Sequence, residues 1–210
     1  MRPAVPEIEH CVQESSDGSL SRRALIGAGA LGALTSVPLV GRMFRLGDAL
    51  GSPSKAQDAK ILQLVLQLEY MQVAFYSQAL AQGGLKGDLR EFARAALVHE
   101  RQHLAAIRKA LGAKAGPKPT FEFGGQTKTA AAFTRAAIDL EDIAVGGYNG
   151  QAANLTKGTL ASAAEIVSVE ARHAAWVRSI AGEVAAPDAV DRPMTARQVA
   201  AALRALGMRT

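Results

Sequence analysis

Two short segments carry the groups best able to do chemistry. VHERQH (98–103) contains His99, Glu100 and His103, and SVEARH (168–173) contains Glu170 and His173. Each places a glutamate three residues before a histidine. On an α-helix, positions i and i+3 lie about 60° apart around the axis and about 4.5 Å along it, so both side chains reach one cation from the same side. A lone glutamate precedes each segment: Glu69 is 31 residues before Glu100, and Glu141 is 29 before Glu170. The unit of one glutamate followed by Glu-x-x-His therefore occurs twice. Tyr76 and Tyr148 each lie seven residues after the lone glutamate, two turns along the same face.

The surroundings of these acids are apolar. Glu69 sits in LQLEYMQVAFY and Glu141 in AAIDLEDIAVGGY. Four carboxylates facing one another in a dry core repel and lose hydration. Two divalent cations cancel that charge, because four carboxylates and two neutral imidazoles sum to zero with two M²⁺. The expected metal ligands are therefore Glu69, Glu100, His103, Glu141, Glu170 and His173. Their oxygen and nitrogen donors suit two Fe ions, with Mn as the alternative and Zn also compatible. Tyr76 and Tyr148 are expected to hydrogen-bond ligand carboxylates from outside, or simply to pack. Asp142, beside Glu141, is a candidate to orient a histidine across the molecule. His99, Tyr70, Gln102 and Trp176 read as packing or interface residues, and Glu165 as solvated.

His99-Glu100-x-x-His103 is also a His-Glu-x-x-His motif, which in zinc proteases binds metal through both histidines. That chemistry needs a third ligand. One common continuation would place Gly and His where this chain has Ala106 and Lys109. Drafting Glu141 or Glu170 instead leaves the second Glu-x-x-His unexplained. The repeat favours a pair of metals over a protease.

These side chains need long helices to hold them. The chain has 210 residues, 49% hydrophobic and 5% aromatic, enough for one domain with a core. Alanine is abundant and β-branched runs are scarce, which favours helix. Periodicity and breakers predict helices over about Ala56–Ala81, Leu89–Leu111, Thr129–Tyr148 and Thr159–Ile180, with Asp88 capping the second. The Gly146-Gly147 pair is expected to loosen the end of the third. Residues 113–126 hold two prolines and three glycines and form a long connection. Thr195 is expected to cap a short last helix to Leu206. The prediction is an all-α four-helix bundle over 56–182 with one long crossover, followed by a C-terminal tail (183–210) with a short helix.

Residues 1–50 read as an export signal and linker. Arg22-Arg23 precede a 17-residue uncharged run, 24–40, rich in Gly and Ala and followed by Gly41. This resembles a twin-arginine signal, with Leu25 where that pattern usually has Phe, and predicts a periplasmic or otherwise extracytoplasmic location. No strong cleavage site follows. Membrane anchoring by an uncleaved N-terminal segment is a second outcome the sequence leaves open, although 17 residues is the lower limit for a span. Net charge is +5, without a basic face interleaved with aromatics, so no nucleic-acid partner is expected. Cys11 is the only cysteine, which excludes a disulfide framework and a cysteine-based metal site.

The set Glu69, Glu100-x-x-His103, Glu141, Glu170-x-x-His173 resembles the ferritin-like di-iron carboxylate proteins. More narrowly, the leader with HERQH and VEARH looks like exported bacterial ferritin-like domain proteins related to plant desiccation-related proteins. The resemblance implies a ferritin-like bundle whose di-iron centre reacts with O2 or H2O2, in iron oxidation or oxidative-stress defence. Manganese catalase chemistry uses a nearly identical ligand set. A non-enzymatic metal-binding or desiccation-stress role is the other alternative. Homodimerisation is compatible with the pattern. No rubredoxin-type relay accompanies the site.

Overall fold

The computed structural model describes residues 53–209; the segment expected to be an export signal and most of the expected linker lie outside them. Helix α1 spans Lys55–Gln82, α2 Gly87–Leu111, α3 Ala130–Gln151, α4 Lys157–Ala181 and α5 Ala196–Ala205. Ser54 caps α1 by accepting from the Gln57 amide at 3.1 Å. Thr129 caps α3 through the Ala132 amide at 3.2 Å, and Thr195 forms a capping box with Gln198. Asp88 is not the cap of α2: Lys86 holds that position without a side-chain bond, and Asp88 sits in the first turn. There its charge still complements the helix dipole.

Helix α1 packs chiefly on α2, and α3 on α4, with looser contact between the pairs. Two apolar layers show how the helices run. One contains Phe75, Tyr76, Phe92 and Phe133; the other contains Val65, Leu66, Ile107, Leu111 and Tyr148. Helix α1 passes from the second layer to the first, and α2 returns. Helix α3 runs from Phe133 to Tyr148, so α2 and α3 traverse the layers in the same order. The chain must therefore travel back along the bundle between them. It does so over residues 112–129, a stretch able to span about 60 Å against a helix of about 37 Å. This is the expected crossover.

The crossover contains a feature the sequence did not signal. Strand β1 (Thr120–Phe121) pairs antiparallel with β2 (Met208–Arg209), tying the crossover to the C-terminus. Gly207 allows the approach: its φ is +118°, and a Cβ there would meet the Glu122 carbonyl oxygen at 2.3 Å. Helix α3 also runs straight through Gly146-Gly147 rather than loosening. The glycines serve packing. The segment before α5 lies against Gly146 and Val199 of α5 against Gly147, and a Cβ on Gly150 would stand 1.9 Å from the Met194 carbonyl oxygen. Val199 and Leu203 of α5 join the core. Among the described residues, no helix is long and apolar enough to cross a membrane.

Candidate metal centre

Each long helix brings one carboxylate to the level between the two apolar layers. Glu69, Glu100, Glu141 and Glu170 are each 0% exposed, with His103 and His173 buried beside them. All six residues singled out by the repeat come together. His103 Nδ1 lies 2.8 Å from Glu170 Oε1, 3.1 Å from Glu100 Oε2 and 3.6 Å from Glu69 Oε2. His173 Nδ1 lies 3.1 Å from Glu100 Oε1, 3.6 Å from Glu141 Oε2 and 3.8 Å from Glu170 Oε2.

The distances sort the residues. Donor atoms of Glu69, Glu100, His103 and Glu170 lie within 4.8 Å of one another, and so do those of Glu100, Glu141, Glu170 and His173. Glu100 and Glu170 stand in both groups. Glu69 with His103, and Glu141 with His173, stand at opposite ends. The lone glutamates are thus terminal, and the glutamates of the Glu-x-x-His pairs are shared. Spacing along one helix could not decide this, because it depends on how α2 and α4 face each other.

The cluster has the polar character of a cation site. Glu69 Oε2, Glu100 Oε1, Glu170 Oε1 and His173 Nδ1 are buried without a hydrogen-bond partner. Buried groups of this kind are costly unless something positive or donating satisfies them. Converging lone pairs on oxygen and nitrogen are what a divalent metal ion requires, so the residues fit the group.

With protons as the only countercharge, the ionisation equilibria are strongly displaced. Burial alone would depress both histidines. Neighbouring carboxylates outweigh it, Glu100 first for each, and push His103 and His173 up to about 12. Burial drives Glu69 and Glu100 upward. Glu141 is pushed up to about 7 by burial, against the opposing pull of His173. Burial pushes Glu170 up too, but His103 and His173 reverse this and hold it well below the usual carboxylate range. In so dry a volume the two histidines and the three raised acids keep their protons unless another cation replaces them.

A surrounding layer holds the carboxylates. The Tyr148 hydroxyl donates to Glu69 Oε1 at 2.5 Å, and the Tyr76 hydroxyl donates to Glu141 Oε1. The sequence placed each tyrosine beneath the lone glutamate of its own helix; in the fold each bonds the lone glutamate of the other. Gln72, which the sequence reading overlooked, is fully buried and donates to Glu170 Oε2 at 3.0 Å and Glu141 Oε2 at 3.3 Å. Its position one turn after Glu69, in an apolar segment, was the available signal. His99 is not merely a packing residue: its Nδ1 lies 2.9 Å from His173 Nε2. Asp142 does not reach a histidine; it pairs with Arg178. Tyr70 accepts from Arg108, Trp176 packs edge-on to Phe92, and Gln102 is exposed.

A surface cavity of 330 Å³ between α2 and α4 reaches the cluster, where His99, His103, His173 and Trp176 line it. A larger one, of 760 Å³, lies beneath residues 185–194 and touches none of the six clustered residues.

No curated protein matches the chain. The ferritin-like domain model matches residues 57–183, which run from the first turn of α1 to just beyond α4 and include every residue of the buried cluster. With that match over more than half its length and a bundle of the corresponding connectivity, the chain belongs to the ferritin-like domain family.

Proposed function

We propose that the protein binds two metal ions, iron in the first instance, among Glu69, Glu100, His103, Glu141, Glu170 and His173, and that the loaded centre reacts with O2 or H2O2. The observation that carries this is the pair of overlapping four-residue groups sharing Glu100 and Glu170. A single site would leave one terminal Glu–His pair without a purpose.

A redox-active metal supplies the electrons for reducing O2 or peroxide. The chain's own residues do the rest. Glu100 and Glu170 would hold both cations, with Glu69–His103 and Glu141–His173 completing one position each. Tyr76, Tyr148 and Gln72 fix the carboxylate planes. The apolar layers on either side exclude bulk water, while the cavity between α2 and α4 admits a molecule as small as peroxide. The ligand set also suits Mn, and peroxide disproportionation is the runner-up activity. A passive metal-binding stress role is the non-enzymatic reading. The Arg22-Arg23 leader supports export by the twin-arginine route, which would deliver the folded, loaded protein.

The test is Fe(II) oxidation under O2 by the chelator-treated, full-length protein. The proposal expects uptake and oxidation of two Fe(II) per chain. Binding without oxidation would leave only a passive site, and O2 release from H2O2 by Mn-loaded protein alone would favour the catalase reading.

A further inference from the structure

The repeat is imperfect in two places, and both exceptions fall on the same half of the cluster. Three residues after Glu69 stands Gln72; three after Glu141 stands Ala144. Before Glu100 stands His99; before Glu170 stands Val169. The Glu69–His103 half therefore cannot receive from α3 and α4 what the Glu141–His173 half receives from α1 and α2.

Gln72 reaches across to Glu141 and Glu170. Together with Tyr76 it places a donor on each oxygen of Glu141, while each oxygen keeps a lone pair for a cation. Glu69 has one donor, Tyr148 on Oε1, and its Oε2 accepts no hydrogen bond. His99 meets the same half. Its ring is nearly parallel to that of His173, at 4° with centroids 5.1 Å apart, and the Nδ1···Nε2 distance is 2.9 Å. When His173 donates from Nε2, its Nδ1 lone pair is left facing the carboxylates, where Nδ1 has no hydrogen-bond partner. Among the described residues, no hydrogen bond fixes the outer nitrogen of His103 in this way.

We propose that Gln72 and His99 are positioning residues that make the two cation positions unequal: the Glu141–His173 position fills first and holds its ion more tightly, and the Glu69–His103 position fills second. This rests on the di-metal reading above. The cause is ordering. A ligand already held in its binding orientation loses less freedom when the ion arrives, and outer partners of this kind are typically worth about 10–100-fold in metal affinity.

The test is an anaerobic calorimetric titration of Co(II), repeated with Zn(II), into the chelator-treated full chain. Two resolved steps about tenfold or more apart in Kd are expected. His99→Val and Gln72→Met each weaken the first step, about 10–100-fold together, and leave the second in place. His99 is only partly buried, so His99→Val carries the test if Gln72→Met fails to fold. A second readout is 15N NMR of the Zn-loaded protein. The His173 Nε2 proton should be protected from exchange in the parent and exposed in His99→Val at unchanged helix content. Two ions binding in one step of equal affinity overturn the proposal, and so does a first step that neither substitution moves. If the parent takes up no metal, the di-metal reading itself fails, and this ordering with it.

Discussion

Tyr148 on α3 donates its hydroxyl to Glu69 on α1, in the opposite helix pair, at 2.5 Å, and Tyr76 reciprocates from α1 to Glu141 on α3. The two helix pairs are thus latched to each other at the level of the carboxylates. Contact between the pairs is otherwise looser than within them. Removing one latch leaves a buried carboxylate oxygen unsatisfied. Tyr148→Phe should destabilise the chelator-treated protein by about 1–3 kcal/mol in urea denaturation. Tyr70→Phe is the control, because that hydroxyl only accepts from the exposed Arg108, which water can serve instead; it should cost less than about 1 kcal/mol.

Metal uptake should release protons. The histidines are pushed up to about 12 and Glu141 to about 7 when protons alone balance the cluster. A metal ion needs neutral imidazole and ionised carboxylate, so it must displace those protons. Zn(II) titrations in buffers of different ionisation enthalpy should show net proton release at neutral pH, and affinity should weaken on acidification. Uptake without proton release would contradict the electrostatic account.

Without metal, the protein should lose stability as pH rises. Glu141 lies at about 7 in the folded chain against 4.5 unperturbed. A raised folded value gives a contribution complete below the unfolded value and lost as pH climbs through the folded one. His103 and His173, at about 12 against 6.5, act in the same direction, since the folded chain retains protons that the unfolded chain releases. Glu170 acts oppositely, but only below the ordinary carboxylate range. Thermal melts of chelator-treated protein should therefore show Tm falling between about pH 5 and pH 9, with about 1.4 kcal/mol per pH unit for each proton retained. Excess metal should remove the fall.

The C-terminal segment should depend on a missing side chain. Gly150→Ala drives a Cβ into the Met194 carbonyl oxygen, and about 1–3 kcal/mol or more of destabilisation is expected. Gly158→Ala, in the first turn of α4, meets nothing within 4 Å and should be neutral or stabilising by up to about 1 kcal/mol. Urea midpoints of the two variants check the pair.

The six clustered residues were legible because helical periodicity is a strong local signal. A buried Glu-x-x-His repeated with its own upstream glutamate has few other meanings. What spacing cannot supply is the height and facing of one helix against another. That is why the crossed tyrosines, the sharing of Glu100 and Glu170, and the role of Gln72 emerged only in the fold. Gly146-Gly147 misled for a related reason. Glycine weakens a helix by propensity, yet here it admits the Met194 segment, a contact made from about 50 residues away in sequence. Strand β1 was invisible because two residues carry no periodicity. His99 was read for its face of α2 without the partner ring from α4.

Metal analysis of the full-length protein purified without added metal tests the central claim most directly, with Glu100→Ala alongside it. The account predicts about two ions per chain in the parent and one or none in the variant, because that carboxylate belongs to both groups. A parent without metal, or a variant that keeps the full load, would contradict it.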